Sequence, residues 1–122
     1  MTMKPSETAA SPVDFDHLMI MTDGDREFAA ELIQMFRIDT RQRLETLEKA
    51  LATQDWPRVE REAHTIKGAS SNMGTGRVRE LAYELEKLGR EAGAGNSAGI
   101  LAELTREFDR ADLALSAWLE GI

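Results

Sequence analysis

Cysteine is absent from the chain. Disulfides, thiolate nucleophiles and cysteine-ligated zinc are excluded with it. No apolar run approaches the ~20 residues needed to cross a bilayer. The opening "MTMKPSETAASP" lacks the apolar segment of a signal peptide, so the cytoplasm is the default compartment. Positive charge is scarce: 15 Lys and Arg stand against 22 Asp and Glu, for a net charge of −7. This balance disfavours nucleic acid, which needs a basic face to displace counterions, and it equally disfavours an anionic membrane surface. Alternating β-branched runs are missing, and aromatics make up only 6% of the residues, so no strand is predicted.

What is present is helical in character. The 122 residues suit one domain with a single core. Residues 1–12 are small and polar, with Pro5 and Pro12, and read as a disordered tail. Residues 13–122 read as the folded domain. "VDFDHLMIM" (13–21) predicts one or two helical turns, and "TDGD" (22–25) is turn chemistry that offers Thr22 or Asp23 as a cap. From Asp25 to about Ala52 neither proline nor glycine occurs. Phe28, Leu32, Met35, Phe36, Thr40, Leu44, Leu47 and Leu51 recur there at threes and fours, the mark of one helical face. "TQDWP" ends that pattern, with Asp55 as the next N-cap and Pro57 in the first turn. A third helix then runs to Met73, its inward stripe formed by Trp56, Val59, Ala63, Ile66, Ser70 and Met73. Gly74 is a natural stop and Thr75 a cap. A fourth helix over about 76–92 carries Val78, Leu81, Ala82, Leu85 and Leu88. After "GAGNSAG", capped by Asn96 or Ser97, a fifth shows Leu101, Leu104, Phe108, Ala111, Leu115 and Trp118. The fold class is therefore all-α: an antiparallel, up-down-up-down four-helix bundle with a short additional N-terminal helix closing one end.

The third helix contains "AHTIKGASSNMG" (63–74). On a helical wheel His64 lies roughly 130° from the centre of the apolar stripe, with Gly68 nearly opposite that stripe. The histidine is thus predicted to face solvent, flanked by Lys67 and Ser71. Mid-helix glycine costs about 1 kcal/mol relative to alanine, a cost that makes sense where a second molecule must approach closely. A bare backbone patch one turn from an exposed imidazole reads as a docking surface. Lys67 beside it suits an anion such as a phosphoryl group, which carries close to two negative charges.

His64, Thr65, Ile66, Lys67 and Gly68 together resemble the His-x-x-Lys-Gly signature of histidine-containing phosphotransfer (HPt) domains. "DFDHLMIMTDGDREFAAELIQMF", "LEKALATQDW" and "LAYELEKLGR" are similar to the segments around it, so the resemblance covers roughly residues 13–118. It implies an HPt-like bundle in which His64 is the phosphoacceptor, Lys67 contacts the phosphoryl oxygens, and Gly68 admits a receiver domain. Ile66 stands where leucine is more frequent, a packing exchange only. The implied partners are response-regulator receiver domains and a sensor (hybrid) histidine kinase. No intrinsic cofactor is implied, since the Mg²⁺ of phosphoryl transfer would come from the receiver. A monomer suffices to bury these stripes.

Positions equidistant from the turn at Thr75 face each other in an antiparallel hairpin, and 64 and 86 are each 11 from 75. Glu86 can therefore accept from Nδ1–H of His64 and leave Nε2 as the nucleophile; its alternative is a solvated surface carboxylate. Arg61, with Arg58 and Lys67, makes the neighbourhood of His64 mildly basic. Leu18 and Met19 either add to the docking surface or close the bundle. "GxxxxGK[ST]" is missing and there is no room for a nucleotide-binding domain, so the chain is expected to be a carrier and not a kinase. Two rivals remain. A metal-binding bundle has too few ligands, His17 and His64 being the only histidines. A module that binds a receiver without carrying phosphate leaves the His64, Lys67 and Gly68 set unexplained.

Overall fold

A computed structural model describes residues 11–93 and 95–121. Most of the expected tail, residues 1–10, lies outside them. The described residues form five helices and no strand: α1 (Phe15–Met21), α2 (Arg26–Ala52), α3 (Trp56–Met73), α4 (Gly76–Arg90) and α5 (Ser97–Glu120). Helices α2 to α5 run alternately up and down, and each packs on its chain neighbour, with α5 returning to α2. α1 lies across the end where α3 finishes. Its Phe15 ring stacks on Trp118 of α5 at 6.3 Å, and Arg26 covers the same indole at 4.8 Å.

The helix starts follow acceptor side chains. Asp14, Asp55 and Asn96 cap α1, α3 and α5 by accepting from the backbone N–H three residues on. The cap of α2 is Asp25 rather than Thr22 or Asp23, because Thr22 is used to end α1. Its hydroxyl donates to the Leu18 carbonyl at 2.9 Å, while Asp25 accepts from Phe28 N–H. Thr75 stands at the cap position of α4 but makes no cap bond; its hydroxyl turns back to the Ser70 carbonyl. α4 ends at Arg90, two residues short of the expected end, where Ala92 and Gly93 take positive φ.

The core stripes of α3, α4 and α5 follow the sequence closely. Val59, Ala63, Ile66, Ser70 and Met73 are buried on α3, and Leu101, Leu104, Phe108, Ala111 and Leu115 on α5. α2 departs from expectation. Its first two turns bury Ala29 and Ile33, while Phe28 and Met35 are 44% and 66% exposed. The apolar face of α2 is wider than the core it meets, so residue type alone does not fix its rotation. Met35, unlike Phe28, faces an open groove between α2 and α3, lined also by Leu32, Ile38, Gln42, Ala69 and Asn72.

At the α1 end the backbone closes on itself. Asp14 N–H donates to the Gly74 carbonyl at 2.8 Å. Gly74 has φ +70°, and a Cβ there would meet the Asp14 carbonyl oxygen, so both the conformation and the contact select glycine. His17 Nε2 donates to the Ser71 carbonyl at 2.9 Å, meeting one of the α3 carbonyls left without an intrahelical partner. No helix among the described residues is long and apolar enough to cross a membrane.

Candidate functional site

His64 stands midway along α3 on the side away from the core, its side chain 66% exposed. The adjacent element is α4, and the hairpin register places Glu86 opposite. His64 Nδ1 donates to Glu86 Oε2 at 2.9 Å. A carboxylate only accepts, so the neutral ring carries its proton on Nδ1. Nε2 has no hydrogen-bond partner among the described residues, and its lone pair faces solvent.

Glu86 differs from a solvated surface carboxylate: its side chain is only 5% exposed. Lys67 Nζ lies 2.7 Å from Oε1, and Arg90 Nη2 lies 3.1 Å from Oε2. Burial alone pushes its carboxyl upward. Hydrogen bonding and charge from Lys67 and His64 more than offset this and hold it below the ordinary 4.5. Lys67 is largely buried, and its ammonium also sits 5.1 Å from the Tyr83 ring centroid. In the resting protein it therefore points at Glu86 rather than standing free over Nε2.

The other expected residues divide. Gly68 and Arg61 are exposed on the same helix, and a Cβ at Gly68 would meet nothing within 4 Å. Ser71 is exposed but tied: its hydroxyl donates to the Lys67 carbonyl and accepts from Arg79 Nε at 2.9 Å. Met19 is half-buried, and Leu18 is fully buried. Leu18 therefore closes the bundle and offers no surface to a partner, since α1 lies with that side chain against the core. Glu60 and Glu62, which flank Arg61, are each paired with an arginine of another helix, Arg90 and Arg43. Local negative charge beside His64 is thereby neutralised.

Sequence reasoning missed Arg90 and Tyr83 as members of this cluster. Two signals were available for Arg90. It lies one turn beyond Glu86, and 60 and 90 are each 15 from 75, so the register that paired His64 with Glu86 also pairs Glu60 with Arg90. The helices come close at that level because a Cβ on Gly89 would stand 2.7 Å from the Glu60 backbone nitrogen. Among the described residues no group of three or more His, Asp or Glu gathers as metal ligands would.

The site is thus a solvent-facing imidazole held by its other nitrogen on a buried carboxylate and mounted on a four-helix bundle. The family model described as the Hpt domain matches residues 31–114, more than half of the chain. The chain belongs to the Hpt-domain family. Hpt domains are phosphocarriers of two-component systems that work with receiver domains and hybrid histidine kinases, and they are not themselves kinases. Two of the solved structures that match the chain show the same fold. One is the histidine-containing phosphotransfer protein B (HptB) of Pseudomonas aeruginosa PAO1, with a TM-score of 0.86 and 24% identity over 93% of this chain and 99% of that one. The other is the HPT domain of a sensor hybrid histidine kinase from Shewanella, with a TM-score of 0.79 and 20% identity over 91% of this chain and 96% of that one. Among curated proteins nothing matches the chain.

Proposed function

We propose that this Hpt domain is a phosphorelay intermediate in which His64 accepts a phosphoryl group from a receiver-domain aspartate and passes it to a second receiver. The observation that carries the reading is the fixed tautomer: Nδ1 is engaged by Glu86 at 2.9 Å while Nε2 is open. In the transfer the Nε2 lone pair forms the N–P bond. The P–O bond to the aspartate breaks, and its electron pair leaves on the released carboxylate. The Nδ1 proton stays in place beside Glu86. Positioning and charge neutralisation dominate such transfers. Here they fall to Lys67, which would turn from Glu86 to the phosphoryl oxygens, and to Mg²⁺ brought by the receiver.

Docking is assigned to the exposed face of α3, with Gly68 as the gap and Arg61 and Ser71 at its margin. Half-buried Met19 of α1 is assigned to its edge. The apolar α2–α3 groove extends this face, since Ala69 and Asn72 line it one residue and four residues past Gly68. Met35 and Ile38, 66% and 61% exposed on the α2 side, replace Leu18 as its apolar component.

The test is transfer from a panel of radiolabelled, phosphorylated receivers. The protein takes label and His64→Gln takes none. If native protein binds a receiver yet takes no label from any of them, it is an interaction module without a carrier role.

A further inference from the structure

The Glu86 carboxylate accepts two hydrogen bonds and is ion-paired with a lysine. His64 Nδ1 and Arg90 Nη2 share Oε2 at 2.9 and 3.1 Å, and Lys67 Nζ holds Oε1 at 2.7 Å. The group is 5% exposed, so water does not readily replace a partner that leaves, and an unpaired buried charge is strongly unfavourable. The relay reading, on which this inference rests, requires one to leave. A phosphoryl group on Nε2 sits across the ring from Nδ1, and Lys67 turns towards it. At that moment the ring needs Glu86 more, because attack through Nε2 leaves positive charge on an imidazole that still carries its Nδ1 proton.

Arg90 is built to remain. Its Nε donates to Glu60 Oε2 of α3 at 2.9 Å while Nη2 holds Glu86. The guanidinium is thus pinned across the α3–α4 interface by a second carboxylate and does not depend on Lys67. The close approach at Gly89 brings Glu60 within its reach. Lys87 is no substitute, since its ammonium lies 4.9 Å over the Tyr83 ring. Lys67 sits on a flexible four-carbon stem, whereas the planar fork of arginine holds two acceptors at once. We infer that Arg90 is a positioning residue: it keeps Glu86 paired when Lys67 moves to the phosphoryl group, and so holds the Nδ1–H of phosphorylated His64.

The experiment measures the equilibrium distribution of label between a receiver and this protein, with the melting temperature of the unphosphorylated protein alongside. Arg90→Ala is expected to move the distribution about fivefold or more towards the receiver, a coupling usual for groups sharing one network. Arg90→Lys recovers part of it. In a Lys67→Ala background no lysine leaves Glu86, so Arg90→Ala lowers the melting temperature without moving the distribution further. A second readout loads His64 with phosphoramidate and follows its Nδ1 proton by NMR. The proton is retained in wild type and Arg90→Lys and exchanges away in Arg90→Ala. The inference is overturned if Arg90→Ala changes only the melting temperature, shifts the distribution equally with and without Lys67, or leaves the Nδ1 proton protected. Failure of the wild type to take label overturns the relay reading instead, and this inference with it.

Discussion

Gly68 has open space where a Cβ would stand, so nothing within the chain requires glycine there. Gly68→Ala is expected to raise stability by about 0.5–1 kcal/mol, the helix-propensity difference, measured by urea unfolding. Gly68→Gln should leave the fold intact and slow transfer; unimpaired transfer would remove close approach as the reason for the glycine. His64, Lys67 and Gly68 were legible from their spacing and their place on the wheel. The depth of Glu86 was not. A wheel angle puts it on the flank of α4, but His64 and Lys67 of α3 and Arg90 of α4 converge on it, a property of two helices together. The pairing of that carboxylate with Lys67 and His64 has a pH signature. The carboxyl titrates below its ordinary value in the folded protein, so its contribution is present in full above the unfolded-state value and is lost as pH falls through the lowered one. Stability measured against pH should therefore drop more steeply below about pH 4.5 in the native protein than in Glu86→Gln.

The α3–α4 hairpin is the element that assembles the site. Its turn is fixed by Gly74 and its register by the stripes on the two helices, which is why equidistance from Thr75 located the His64–Glu86 contact from sequence alone. The same register paired Glu60 with Arg90, but two charged residues on exposed flanks gave no reason to single them out. Gly89 sets how closely the helices approach. A methyl group at that position would lie 2.7 Å from the Glu60 backbone nitrogen, and backbone cannot give way as a side chain can. Gly89→Ala should cost about 1–3 kcal/mol despite the better helix former. It should also weaken protection of the His64 Nδ1 proton by spreading the hairpin; an unchanged stability would show that the interface adjusts elsewhere. α2 is where reading by element failed. Its sequence offers more apolar residues than one face can bury, and only packing against α1, α3 and α5 selects Ala29 and Ile33 over Phe28 and Met35.

For the whole molecule, the acidic balance of −7 is unevenly spent around the site. Glu60, Glu62 and Glu86 are each paired with basic groups, which leaves the His64 face suited to an acidic receiver pocket flanked by the apolar α2–α3 groove. Because Met35 and Ile38 are well exposed, Met35→Asp and Ile38→Asp should change stability by no more than about 0.5 kcal/mol. Each should weaken receiver association several-fold by titration calorimetry. Unchanged binding would confine docking to α3 itself. The bundle, its helix order and its core were readable because amphipathic periods of 3.6 residues leave few ways to pack four helices. The groove was not readable, since it exists only as the mismatch between two neighbouring faces.

Glu86 is assigned the task of fixing the His64 tautomer so that Nε2 receives the phosphoryl group. The most direct measurement is ¹⁵N and ³¹P NMR of ¹⁵N-histidine-labelled protein phosphorylated by a receiver. Phosphorus is expected on Nε2 of His64, with the Nδ1 proton retained beside Glu86. Phosphorus on Nδ1, or on any residue other than His64, would contradict it.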